Sequence, residues 1–298
     1  MCERAGISRQ AVYKEHRARC RRAIDEAAVV ELVKRERRLQ PRLGCRKLLV
    51  LLRVGLVEMG IRIGRDRFFE VLMCQGLLID RVRRGGPRTT DARHRLRTYP
   101  NLFQGLVLTR VHQAWVSDIT YVRTEEGWLY VFLISDAFSR KIVGEATGDT
   151  LEAKWNVRAL KMAMEQLPGN VRPIHHSDRG IQYCCEEYIE VLEERRLRIS
   201  MTEENHCYEN AQAERLNGIL KQEYGLGETF RTKGEARLAV KEAKDLFNER
   251  RPHMSLGYQI PSIVHAGGNK ARPGAAGTPV ALRAPCVPAA PGTRTGSL

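Results

Sequence analysis

Three acidic residues carry most of the chemistry suggested by this 298-residue sequence. Asp118 falls inside WVSDITYV, among Val116, Ile119 and Val122, a run with the β-branching of a buried strand. A charge there is costly to bury unless a cation or hydrogen-bond donors meet it. Asp178 lies in HHSDRGIQY, at the end of a second apolar run. It is either a turn former beside Arg179-Gly180 or a metal ligand at a strand tip, with Gly180 letting the chain turn away. Glu214 lies in YENAQAERLNGILKQEY, a helix with Asn210 as its expected N-cap. Ala213, Leu216 and Leu220 form the buried stripe of that helix, and Asn210, Asn217 and Lys221 share the face of Glu214. If the two strands are neighbours, the aspartates converge. A helical glutamate beside them would complete a site for two Mg²⁺ ions about 3.5–4 Å apart, able to activate a nucleophile and stabilise a leaving oxygen.

The elements that must position these residues alternate. AWVSDITYV and WLYVFLISD read as strands joined by a turn at Glu125-Glu126-Gly127, and residues 141–146 as a third strand. Residues 151–167 form an amphipathic helix, RPIHHS a fourth strand, 186–197 a helix and 198–202 a fifth strand, before the helix of Glu214. Three consecutive strands followed by alternating helices and strands predict an α/β core with a sheet of mixed direction over residues 111–265.

Charge separates this core from what precedes it. Residues 1–110 hold 26 Lys and Arg against 11 Asp and Glu, whereas residues 111–265 hold 20 against 24. The basic part belongs with a polyanion, the acidic part with a carboxylate-lined site. Residues 1–80 read as helical. A short helix, a Gly6-Ile7 turn, a cap at Ser8 and a helix from Arg9 make a helix-turn-helix that exposes Arg9, Gln10 and Lys14. A charged helix follows over 24–39. Helices over 45–59 and 65–75 make a second helix-turn-helix candidate, with Arg46, Lys47, Arg65 and Arg67 as its cations. The alternative is a plain helical bundle with a solvated basic surface. Residues 81–110 read as a basic linker lying along phosphates, or simply a solvated tether. In residues 266–298, Ala, Gly and Pro make up 19 of 33, the composition of a disordered tail.

Other classes fit poorly. No apolar run approaches the roughly 18 residues of a membrane span, and the charged N-terminus is unlike a signal peptide, so a cytoplasmic protein is expected. Eight scattered cysteines without a CxxC pair suit reduced structural thiols better than a zinc site near His175, His176, Cys184 and Cys185.

Together, WVSDITYV, SDAFSRKIVG, HHSDRGIQY, YENAQAERLNGILKQE and FNERRPHMSLGYQIP resemble the retroviral-integrase superfamily, and in particular the OrfB-type insertion-sequence transposases. The 35 residues between Asp178 and Glu214 match that family's DDE spacing. The resemblance covers about residues 1–265. It implies an RNase H-like core, with Asp118, Asp178 and Glu214 as catalytic metal ligands for two Mg²⁺ ions (Mn²⁺ as substitute). The implied activity is cleavage of a DNA 3′ end followed by strand transfer. The implied partners are double-stranded DNA at terminal inverted repeats and target sites, further copies of the chain, and the product of an upstream frame, in a nucleoid-associated setting. Asn210 and Lys221 join the N-terminal cations as candidate DNA contacts. One departure is visible: Glu209-Asn210-Ala211 stands where the family commonly has Asp-Asn-Ala. Asp136 is read as a turn residue or a support for a ligand. His176 is either an orienter of a ligand or a structural hydrogen-bonding group. Arg250, Arg251 and His253 either touch DNA or anchor the C-terminal helix. The rival functions are a nuclease that stops at hydrolysis and a non-catalytic DNA-binding relic or repressor.

Overall fold

A computed structural model of the protein describes residues 8–79, 96–203 and 210–268. The helix expected ahead of Ser8, the first part of the basic linker, Glu209 and nearly all of the Ala/Gly/Pro-rich tail lie outside the described residues. Ser8 caps α1 (Arg9–Leu39), its hydroxyl accepting from the Ala11 amide at 3.2 Å. The two helices expected from Arg9 and over 24–39 are thus a single 31-residue helix. Neither Gly nor Pro interrupts it, and it stops before Pro41, whose ring disfavours helical geometry in the preceding residue. α2 (Cys45–Glu58) and α3 (Arg65–Cys74) pack on its second half through Val29, Val33, Leu48, Leu56, Phe68, Val71 and Leu72. Both helices end at glycines with positive φ, Gly60 at 72° and Gly76 at 63°, which a side chain would resist.

The core is one sheet in the order β3-β2-β1-β4-β5. β2 (Gly127–Asp136) runs antiparallel to its neighbours β1 (Ala114–Thr124) and β3 (Ile142–Gly148), while β4 (Ile174–Ser177) and β5 (Arg198–Met201) add parallel to β1. This is the RNase H-like mixed sheet expected. Strand alternation sends Trp115, Phe132 and Ile134 to one face, under α4 (Ala153–Glu165) and α6 (Glu186–Glu194). The opposite face carries Val122, Leu129, Val131 and Leu133, under α7 (Ala211–Glu223) and α8 (Lys233–Glu249). At Gly144 of β3, an added Cβ would lie 2.3 Å from the Ala159 carbonyl oxygen, so α4 sits directly on backbone there.

Register opens the site. β4 pairs with β1 only across Ala114–Val116, and the two-residue strand β6 (Thr229–Phe230) pairs with β1 only at Arg123 and Thr124. Between them, residues 117–122 present an edge that no described strand covers. The second half of the expected linker is not a free tether. Phe103, Leu106 and Leu108 pack against Ala114, Val116, Ile174 and Ala213, because these apolar side chains leave water by lying on the core.

Candidate active site

Asp118 sits on the open edge of β1. Its Oδ1 accepts from the Ile119 amide at 2.9 Å and its Oδ2 from the side-chain amide of Asn217, on α7, at 2.7 Å. Asp178 follows β4 directly and accepts on Oδ1 from the Gly180 amide at 3.0 Å. The expected role of Gly180 changes here. Its φ is −62°, so no left-handed turn requires glycine, but a Cβ would lie 3.0 Å from Asp178 Oδ1. A side chain here would have to displace that carboxylate oxygen by a few tenths of an ångström.

Both aspartates line one cavity of about 290 Å³, together with Thr120, Tyr121, Gln182 and Tyr183. Burial, then the neighbouring Asp178 charge, pushes the Asp118 carboxyl up to about 8, and the Glu214 charge adds to the rise. Two carboxylates lining one poorly solvated pocket favour a proton or a cation there, and hard oxygen donors suit a divalent ion such as Mg²⁺. The two aspartates therefore fit a hard divalent ion in their donor chemistry. Glu214 stands on the first turn of α7 with its side chain exposed. Among the described residues, no three Asp, Glu, His or Cys side chains are gathered closely enough to hold one ion. The structure thus brings Asp118 and Asp178 together and leaves Glu214 within electrostatic range of Asp118, outside the cavity lining.

The supports differ from expectation. Asn210 makes no side-chain cap; its amide donates to the Ser117 carbonyl at 3.3 Å, pinning the start of α7 to β1. Ser117 in turn donates to the Tyr183 hydroxyl at 3.0 Å beneath the cavity. Asn217 had shown only as a neighbour on the Glu214 face, three residues on. Tyr183 carried no signal, since an aromatic in a short helical turn reads as ordinary core. Lys221 places its Nζ 4.0 Å from the Tyr121 ring centroid, half-buried; desolvation lowers its pKa although the Asp118 charge opposes this.

The candidate cations separate in the same way. Arg9, Gln10, Lys14 and Arg46 are exposed. Arg65 is exposed but pairs with Asp66 at 2.8 Å, and Arg67 pairs with Glu26 and Glu70. Lys47 faces inward: it bonds Glu223 at 2.6 Å with 17% of its side chain exposed, and so leaves the solvent-facing set. Arg250 and Arg251 are anchors. Arg250 donates to both oxygens of Glu36 on α1, and Arg251 to both oxygens of Glu223 at the end of α7. His253 Nδ1 shares a hydrogen bond of 3.0 Å with the Ser255 hydroxyl, and the ring packs against Phe247. Asp136 fixes a turn, accepting from the His112 amide and from the Ser139 amide and hydroxyl. His176 bonds Ser200 at 2.8 Å and stacks on Phe103, a structural role. Cys184 lies against Met201 and the five described cysteines are free thiols.

Two models of the integrase core domain match the chain, over residues 109–207 and 195–261. An insertion element IS600 protein of 31 kDa from Shigella sonnei is 35% identical over 266 residues, covering 88% of this chain and 96% of that protein. The transposase for insertion sequence element IS629 from Shigella sonnei is 32% identical over 209 residues, covering 70% of this chain and 69% of that protein. Transposase InsF for insertion sequence IS3fB from Escherichia coli (strain K12) is 39% identical over 162 residues, 53% of this chain and 55% of that one. The chain belongs to the IS3-type insertion-sequence transposases. Among solved structures, the HTLV-2 integrase catalytic core domain in complex with magnesium matches this transposase at TM-score 0.41 and 17% identity, over 52% of this chain and 96% of that chain. The transposase acts in DNA transposition and integration and carries an integrase core domain. Among its described residues, no helix is long and apolar enough to cross a membrane.

Proposed function

We propose that Asp118, Asp178 and Glu214 hold two Mg²⁺ ions, or Mn²⁺ in their place, and that the site cuts a DNA 3′ end and then joins it to target DNA. The observation that carries this reading is the shared cavity of Asp118 and Asp178 at the open edge of β1. Bound there, the metal would supply Lewis-acid activation of the attacking and leaving oxygens. The protein supplies position. Asn217 and the Gly180 amide aim one carboxylate each, and Asn210 holds the start of α7 against β1. Glu214 completes the set when its exposed side chain turns towards the pair. Water attacks a phosphodiester, breaking its bond to the 3′-oxygen to free a 3′-OH and leave a 5′-phosphate, and that hydroxyl then attacks a target phosphodiester in line, displacing the target's own 3′-oxygen. One site serves both steps because only the nucleophile changes. The exposed Arg9, Gln10, Lys14 and Arg46 contact duplex DNA at the terminal inverted repeats. Assembly of several copies bridges two ends, with the product of an upstream frame as a further partner in a cytoplasmic, nucleoid-associated complex.

The test uses the full chain, Mg²⁺ or EDTA, and a duplex carrying the terminal repeat found beside the gene. Cleavage and joining should both require metal. Asp118→Asn, Asp178→Asn and Glu214→Gln should each abolish both while keeping DNA binding, and Glu209→Gln should cost much less. Hydrolysis without joining would favour the nuclease reading. Near-normal strand transfer by Glu214→Gln would remove that residue from the site.

A further inference from the structure

The cavity that holds Asp118 and Asp178 continues into an aromatic wall that the phosphoryl-transfer chemistry does not use. Tyr121 and Tyr130 are cross-strand partners, as are Arg123 and Trp128, so all four side chains project from one face of the β1–β2 hairpin. Leu151, two residues before α4 begins at Ala153, lines the cavity beside them. Trp128 remains 43% exposed and meets Tyr121 edge-to-face, with centroids 4.9 Å apart. A large ring at a hairpin end ordinarily packs against its cross-strand neighbour, but here a cavity of about 290 Å³ lies beside it and leads to the carboxylates. Cations flank the rings, with Lys221 Nζ 4.0 Å from the Tyr121 centroid and Arg123 Cζ 6.0 Å from that of Trp128.

We propose that this wall is a stacking site for an unpaired nucleobase of the strand being cut. The inference rests on the carboxylate pair being the reaction centre. A phosphate held at Asp118 and Asp178 places the base of an adjoining nucleotide at the same cavity. Flat aromatic faces flanked by cations match a base and its phosphates. A paired base offers no free face, so the occupant is a nucleotide pulled out of the duplex, and Trp128 and Tyr121 hold it there. Trp128 thereby becomes a positioning residue for the end of the element.

The experiment uses the full chain and terminal-repeat duplexes with 5-iodouracil placed at each nucleotide flanking the cut. Irradiation should crosslink one of these positions to Trp128 or Tyr121. In a duplex already mismatched at that position, Trp128→Ala should slow cleavage on the order of tenfold, the scale of one base–aromatic stack, and Trp128→Phe should recover most of it. An abasic nucleotide there should slow the wild type similarly and cost Trp128→Ala nothing more. Crosslinks confined to other residues, or losses from the variant and the abasic site that simply multiply, would overturn the proposal. Absence of metal-dependent cleavage by the wild type would sink the reaction reading instead; the crosslink needs no cleavage and still reports on the base.

Discussion

Asn217 on α7 donates its side-chain amide to Oδ2 of Asp118 on β1 at 2.7 Å, joining the helix that carries Glu214 to the strand that carries the first aspartate. This contact orients a carboxylate and also sets the distance between two elements. Asn217→Ala should lower strand transfer on a pre-cleaved end by about ten- to hundredfold, the usual cost of losing a partner behind a metal ligand. DNA binding should be retained. Unchanged strand transfer would mean that Asp118 is aimed by β1 alone.

Gly180 provides a test of the other aspartate. In Gly180→Ala the new Cβ meets Asp178 Oδ1 at 3.0 Å, and the carboxylate must give by a few tenths of an ångström. Cleavage should fall more than tenfold with little change in the melting temperature, since φ at this position suits alanine. Steady-state cleavage and thermal denaturation of the same preparation check both halves.

The N-terminal helices are bound to the core by charge. Glu36 is 3% exposed and its pKa is lowered: burial pushes it up, but hydrogen bonds from Arg250 and Gln40 outweigh that. Arg250 itself keeps 45% of its side chain in solvent. Removing Arg250 strands a buried carboxylate, whereas removing Glu36 leaves a cation already half in water. Arg250→Ala should therefore cost about 2–3 kcal/mol and Glu36→Gln about 1 kcal/mol or less, by chemical denaturation. The reverse order would contradict the burial argument.

Acid should loosen the fold before its carboxylates titrate. Burial first, aided by neighbouring positive groups, holds His175, His253 and His265 each down to about 3. Unfolded histidines titrate near 6.5, so below that pH the unfolded chain takes up protons that the fold refuses. Their contribution is complete above about 6.5 and is lost as pH falls towards 3. The melting temperature should drop between pH 6.5 and 4.5, and His175→Gln should flatten that slope. His175 is the most informative of the three because its Nε2 meets the buried Tyr188 hydroxyl at 2.8 Å.

The local arguments in the sequence were sufficient for what depends on neighbours along the chain. β-branched alternation around Asp118, the Asn210-to-Lys221 face of α7 and the basic bias of residues 1–110 each follow from periodicity and composition. The strands around both aspartates and the helix of Glu214 appear where these patterns put them. What depends on contacts between distant segments was not legible. The short pairing of β4 to β1 opens the edge at Asp118, and no pattern within either strand encodes where a ladder stops. Lys47 reads as one more surface cation until Glu223, 176 residues away, draws it inward, and Arg250 is taken by Glu36 across 214 residues. The sequence alone determined the strands around the two aspartates and the helix of Glu214, because propensity and periodicity act over a few residues, but not that the two expected N-terminal helices run on as α1. Only the tertiary structure decided which offered charges stay in solvent and which are neutralised inside, because that choice depends on which partner removes each one from water.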